Sequence, residues 1–166
     1  MMRSLTQTNG SVMRDVLRAI ALGTIAVALL DATDGVVFFG LTLHFDPVQV
    51  LQYIASGAFG RSAFDGGLAT AFAGLVIHFS LAAAFTAIFA GAYLAIPLLH
   101  RFTVASGLAY GAVVWLFMNL LVLPHSGVPQ MPLTTLAVVH GIIGHALFVG
   151  LPAALAARRW LPKGGS

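Results

Sequence analysis

The chain has 166 residues, 59% hydrophobic and only 8% charged, whereas a soluble domain carries about 25% charged residues. Its formal charge is +3, but the eight basic residues are scattered and make no basic face interleaved with aromatics, which excludes a nucleic-acid-binding surface. Cysteine is absent, so disulfides and thiolate metal sites are excluded as well.

Four apolar runs, at 17–40, 67–96, 102–124 and 132–156, are long enough to cross a hydrocarbon layer that takes about 20 residues per helix. The expected fold is all-α, a four-transmembrane-helix bundle forming one integral membrane domain over residues 1–166. The first run follows Arg14 and Arg18 and has the look of a signal peptide, yet it continues through Val36, Val37, Phe38 and Phe39 without a cleavage site. It is therefore read as a retained span. Arg3, Arg14, Arg18, Arg101, Arg158, Arg159 and Lys163 flank one set of span ends and Arg61 alone the other, which predicts both termini in the cytoplasm of a bacterial inner membrane. The segments 41–66 and 125–131 then face the periplasm or exterior.

The first external segment, DPVQVLQYIASGAFG, predicts a short amphipathic helix with Asp46 as N-cap, Pro47 at the first helical position and Gly57 or Gly60 as the stop. Val50, Leu51, Ile54 and Ala58 share its apolar face, leaving Gln49, Gln52 and Ser56 toward water; such a helix either caps the bundle as a lid or merely connects. The second external segment, LPHSGVPQMP, is held extended by Pro124, Pro129 and Pro132. Gly107 and Gly111 form a GxxxG pair, a sign of close backbone approach that does not name the neighbour. GLVIH at 74–78 is echoed by GIIGH at 141–145, which makes His78 and His145 counterparts if the chain is a repeated hairpin.

At 1.5 Å rise per residue, depths counted from the expected outer ends are about 5 to 9 Å for Asp34, 10 to 13 Å for Asp31, 8 Å for Asn119, 12 Å for His140, 15 Å for His78 and 20 Å for His145. Asp31 and Asp34 lie about 60° apart on one helix face. A carboxylate at the centre of a span costs about 2.5 to 3.5 kcal/mol on insertion scales, less off-centre, and calls for protonation, water or hydrogen-bonding partners. His78, His140 and Asn119 on facing helices are the expected partners. Buried polar groups of this kind also simply join helices, and that is the preferred reading for Asn119. Intramembrane ionisable groups tend to be functional, so for the aspartates the pocket reading stands beside it.

His140 and His145 are five residues apart, about 140° around a helix, and do not converge on one ion. No metal site is expected, and a cluster of His44, Asp46 and His125 on separate external segments is set aside. Haem held between His78 and His145 is an alternative cofactor reading, without a CxxCH motif behind it. The signatures GxSxG and HExxH and the phosphate-binding loop are missing, so no nucleophile with its base is identified and a non-enzymatic protein is preferred.

With HFSLAAAFTAIFAGAY in the second run, LPHSGVPQMP in the external turn and GIIGHALF in the fourth run, residues 67–159 resemble the YagU-like bacterial inner-membrane proteins. The resemblance rests on His78 with Ser80, Tyr93, the proline-bearing turn, and Gly144 with His145. It implies a small multi-helix inner-membrane protein linked to acid or envelope stress. Gly141 stands where that family pattern carries an acidic residue. The expected function is an outward-facing polar pocket for a proton, cation or small polar ligand, formed by Asp31, Asp34, His78, Asn119, His140 and His145. The competing readings are an accessory subunit that docks in the bilayer as a homo-oligomer or within a larger membrane complex, and a haem-binding redox protein.

Overall fold

Helix α1 (Met2–Leu43) is followed by the short α2 (Pro47–Phe59), then α3 (Gly67–Ala95), α4 (Pro97–Arg101), α5 (Thr103–Phe117), α6 (Thr135–His145) and α7 (Leu151–Trp160). This computed structural model describes residues 2–162, with side chains from residue 10 onward; Lys163 and the side chain of Arg3, counted above among the flanking charges, lie outside the described residues. Four helical segments are long and apolar enough to cross a membrane: Gly10–Leu43, Gly67–Ala95, Thr103–His125 and Thr135–Trp160. The chain is an all-α, four-helix, multi-pass membrane protein. Large apolar side chains such as Leu41, Phe72 and Leu120 stand exposed around the bundle, as contact with lipid requires.

The third and fourth spans each contain a π-helical turn, at Met118–Val122 and Ala146–Gly150. Each is followed by a Leu-Pro pair, Leu123–Pro124 and Leu151–Pro152. Proline has no N–H and its ring presses on the carbonyl four residues back, so the helix widens just ahead of it. The i−5 bonds from the Leu123 and Leu151 N–H groups to the Met118 and Ala146 carbonyls record that widening.

Small residues set how closely the helices approach. A Cβ at Gly107 would press on Ala154 and the Gly150 carbonyl, one at Gly111 on the His145 carbonyl, and one at Gly150 on the Gly107 carbonyl. The GxxxG pair thus packs on the fourth span of the same chain. At the end that carries α4, a core of Ala19, Ala28, Phe89, Tyr93, Ala154 and Ala157 joins α1, α3 and α7. Arg18 and Arg159 lie 5.7 Å and 4.6 Å from the Trp160 ring centroid, which ties the start of the first span to the end of the last.

At the opposite end α2 caps the bundle. Asp46 and Gln49 form a reciprocal capping box, Pro47 starts the helix, and Gly60 ends it at φ 63°. The face it buries differs from the expected one: Gln52 and Ser56 are buried, while Ala58 is exposed. The cause is α3, where the absence of a side chain at Gly74 lets the Leu51 carbonyl come into contact. Gln52 there donates to the Gly67 carbonyl at 3.0 Å, and Ser56 satisfies itself on the Tyr53 carbonyl at 2.6 Å. A polar residue that finds a backbone partner packs inward as readily as an apolar one.

Replacing Gly150 by leucine is expected to destabilise the bundle by about 1 to 3 kcal/mol through overpacking. Gly91→Leu, at a site where a Cβ meets nothing within 4 Å, is expected to be near neutral. Thermal unfolding of both variants in the same detergent checks this.

Candidate functional site

The position of the acidic pair follows from how α1 meets α3. His78 is 8% exposed and its Nε2–H donates to the Ala28 carbonyl at 2.9 Å, while a Cβ at Gly23 would press on Thr86, about two turns further along α3. With Ala28 pinned against α3, Asp31 and Asp34 stand about 60° and about 120° around the helix and turn toward α6. There each aspartate meets one imidazole. His140 Nε2 lies 3.2 Å from Asp34 Oδ1, and His145 Nδ1 lies 3.9 Å from Asp31 Oδ1.

The two pairs differ in kind. The Asp34–His140 contact is a hydrogen bond in which one proton is shared, donated by the imidazole to a carboxylate or by a protonated carboxyl to the imidazole. The His140 ring is held for it by stacking on Phe38, with centroids 4.0 Å apart and planes 12° apart. Room for the Asp34 carboxylate comes from Gly144, whose absent Cβ would sit 2.8 Å from Asp34 Oδ2. The Asp31–His145 separation is too long for a direct hydrogen bond, and His145 Nδ1 is buried without one. The His145 backbone is placed by the glycine contact with α5.

These groups form one wall of a cavity of about 1020 Å³ between the spans. All six residues singled out from the sequence, Asp31, Asp34, His78, Asn119, His140 and His145, line it. Leu51, Tyr53 and Ile54 of α2 roof it, and Val128, Pro129 and Met131 close the side beneath the proline-bearing segment. A bond from the Gly127 N–H to the Gly57 carbonyl at 3.0 Å ties that segment to α2. Burial in the roof pushes the Tyr53 phenol above its ordinary range. Among the described residues, no lysine or arginine lines the cavity.

Several expected partnerships are replaced by others. Asn119 does not reach the aspartates: its Nδ2 donates to the Trp115 carbonyl of its own helix at 3.0 Å. His78 serves backbone and His145 faces a carboxylate, so the two echoed histidines have different chemistry. His145 sits at the level of Asp31, nearer the outer end than its expected depth. The reason is that α1 runs three residues further, to Leu43, while the prolines keep the last span from becoming helical before Thr135. Counted from those ends, Asp31 is about 18 Å deep and His145 about 15 Å.

The residues do not fit a haem bridging His78 and His145, because the His78 Nε2 is committed to Ala28. Among the described residues, no three histidine or acidic side chains converge as metal ligands. His125 bonds the Leu121 carbonyl at 2.7 Å and Asp46 caps α2, so neither is drawn to His44.

Sequence reasoning missed Trp115 and Phe38. A side chain at Gly141 would collide with the Trp115 indole, so this bundle has no space for a carboxylate there and draws its acids from α1. The Leu-Pro pairs were the available signal for the two π-helical turns, one containing Asn119 and the other directly following His145. The chain matches no known family model, no curated protein and no solved structure.

Gly144→Val is expected to displace the Asp34 carboxylate and break its bond to His140 while leaving His78 on Ala28. Histidine-selective ¹⁵N spectra check it: the His140 ring signals move and those of His78 stay. Unmoved His140 signals contradict the contact.

Proposed function

We propose that this protein is a non-enzymatic bacterial inner-membrane protein whose bundle holds an outward-facing polar pocket for a proton, cation or small polar ligand. The observation that carries the reading is the pair of carboxylate–imidazole contacts on one wall of a cavity that no lysine or arginine lines among the described residues. Two aspartates within a span are costly unless something compensates them, and intramembrane ionisable residues tend to mark substrate or ion pathways. Two carboxylates on one wall, with neutral imidazoles beside them, favour a positive charge over an anion in the pocket.

The outward direction is supported by the basic residues: Arg14, Arg18, Arg101, Arg158 and Arg159 cluster at the end away from α2, a bias that favours that end in the cytoplasm and the cavity toward the periplasm. The likeness of residues 67–159 to YagU-like proteins supports acid or envelope stress as the setting. Docking as an accessory subunit has less support, since Gly107 and Gly111 are occupied by an internal contact.

Potentiometric titration of the purified protein in lipid nanodiscs, beside Asp31→Asn and Asp34→Asn, tests the reading. Each variant is expected to bind fewer protons than the unaltered protein, because an amide replaces a proton-accepting carboxylate, and to hold monovalent cations more weakly. Proton and cation binding unchanged in both variants would reject the pocket.

A further inference from the structure

The cavity is larger than a bare ion needs. About 1020 Å³ is the size of a site for a drug-sized organic molecule, and most of its wall is apolar, with Phe39, Phe85, Trp115 and Met118 opposite or beside the acidic groups. Its mouth is apolar too: Leu43, Leu133 and Leu136 line it and are 41%, 55% and 63% exposed. They belong to the end of α1, the segment before α6 and the first turn of α6. A ligand entering there passes between leucines before reaching charge.

The polar wall selects the head of that ligand. Asp31 Oδ1 and His145 Nδ1, 3.9 Å apart, are too far to bond each other, and the imidazole nitrogen is buried without a hydrogen bond. With the His145 ring turned so that Nδ1 meets the cavity, one ammonium nitrogen would donate one N–H to the Asp31 carboxylate and a second to the imidazole. A carboxylate or phosphate head would meet two like charges instead.

We propose that the pocket takes an amphipathic organic amine, its ammonium group bridging Asp31 and His145 and its apolar body lying against Trp115 and Met118 toward the leucine mouth. The inference rests on the pocket reading above and names its ligand class. Binding involves no covalent step. Asp34, already bonded to His140, supplies the second negative charge near the head without being a direct partner.

The test uses the full chain in nanodiscs, with Trp160→Phe so that Trp115 is the single tryptophan and its fluorescence reports occupancy. Octylammonium, octanol, octanoate and ammonium chloride are titrated in turn against this protein, against the Asp31→Asn and His145→Leu variants, and against empty nanodiscs. Saturable quenching is expected with octylammonium alone, weakened about tenfold or more in each variant, as loss of a charged hydrogen bond entails. Using two variants guards against one failing to fold. Octylammonium acting no better than octanol, or equally well on both variants, overturns the amine assignment. If ammonium alone binds as tightly as octylammonium, the site takes a simple cation and the organic class is wrong. In each of those cases the proton titration of Asp31→Asn and Asp34→Asn stands as a separate result, so the ligand class and the pocket fail independently.

Discussion

Two carboxylates held against two imidazoles within the thickness of a bilayer are the constraint around which this bundle is arranged. A lone aspartate facing lipid is expensive, whereas one sharing a proton with an imidazole inside a cavity is not. Asp34 with His140 forms the tight pair and Asp31 with His145 the open one, and the difference of 0.7 Å between their separations of 3.2 Å and 3.9 Å divides their roles. The first pair fixes a charge within the wall. The second leaves an anion and an acceptor nitrogen for something else to join.

Backbone contacts put these side chains where they are. The bond from His78 to the Ala28 carbonyl sets the rotation of α1, and the contact of Gly111 with the His145 carbonyl sets the height of the last span. Gly144 then leaves a space that the Asp34 carboxylate fills. Glycine therefore serves two ends in this chain, drawing helices together at Gly107 and Gly150 and making room for a polar group at Gly144. In a bilayer, where lipid tails are as apolar as leucine, such packing replaces the hydrophobic drive that joins helices in water.

The four spans were legible because apolar runs of that length have few other uses, and the Asp46–Pro47 start of α2 because capping chemistry is local. The shared face of Asp31 and Asp34 follows from their three-residue spacing alone. Their partners did not follow, since periodicity tells which way a side chain points along its own helix and nothing about the neighbour it meets. Asn119, His78, Gln52 and Ser56 all bond backbone carbonyls, an outlet open to any polar residue and invisible to pattern. His145 was set too deep because the last span becomes helical only at Thr135, just after Pro132, an effect readable only as a boundary that shifts by a few residues.

Absence of native cysteine allows the central geometry to be measured directly. The Asp34 Cγ, whose place the sulfur of a cysteine would take, lies 3.7 Å from where a Cβ on residue 144 would stand, so a small shift lets sulfurs at the two positions bond. Under mild oxidation the Asp34→Cys, Gly144→Cys protein is predicted to form an intramolecular disulfide rapidly. The Thr33→Cys, Gly144→Cys protein, its thiol about 100° away on the exposed face of α1, is predicted to stay reduced. Equal cross-linking of the two, or none at residue 34, would contradict an acidic pair turned inward toward the imidazoles.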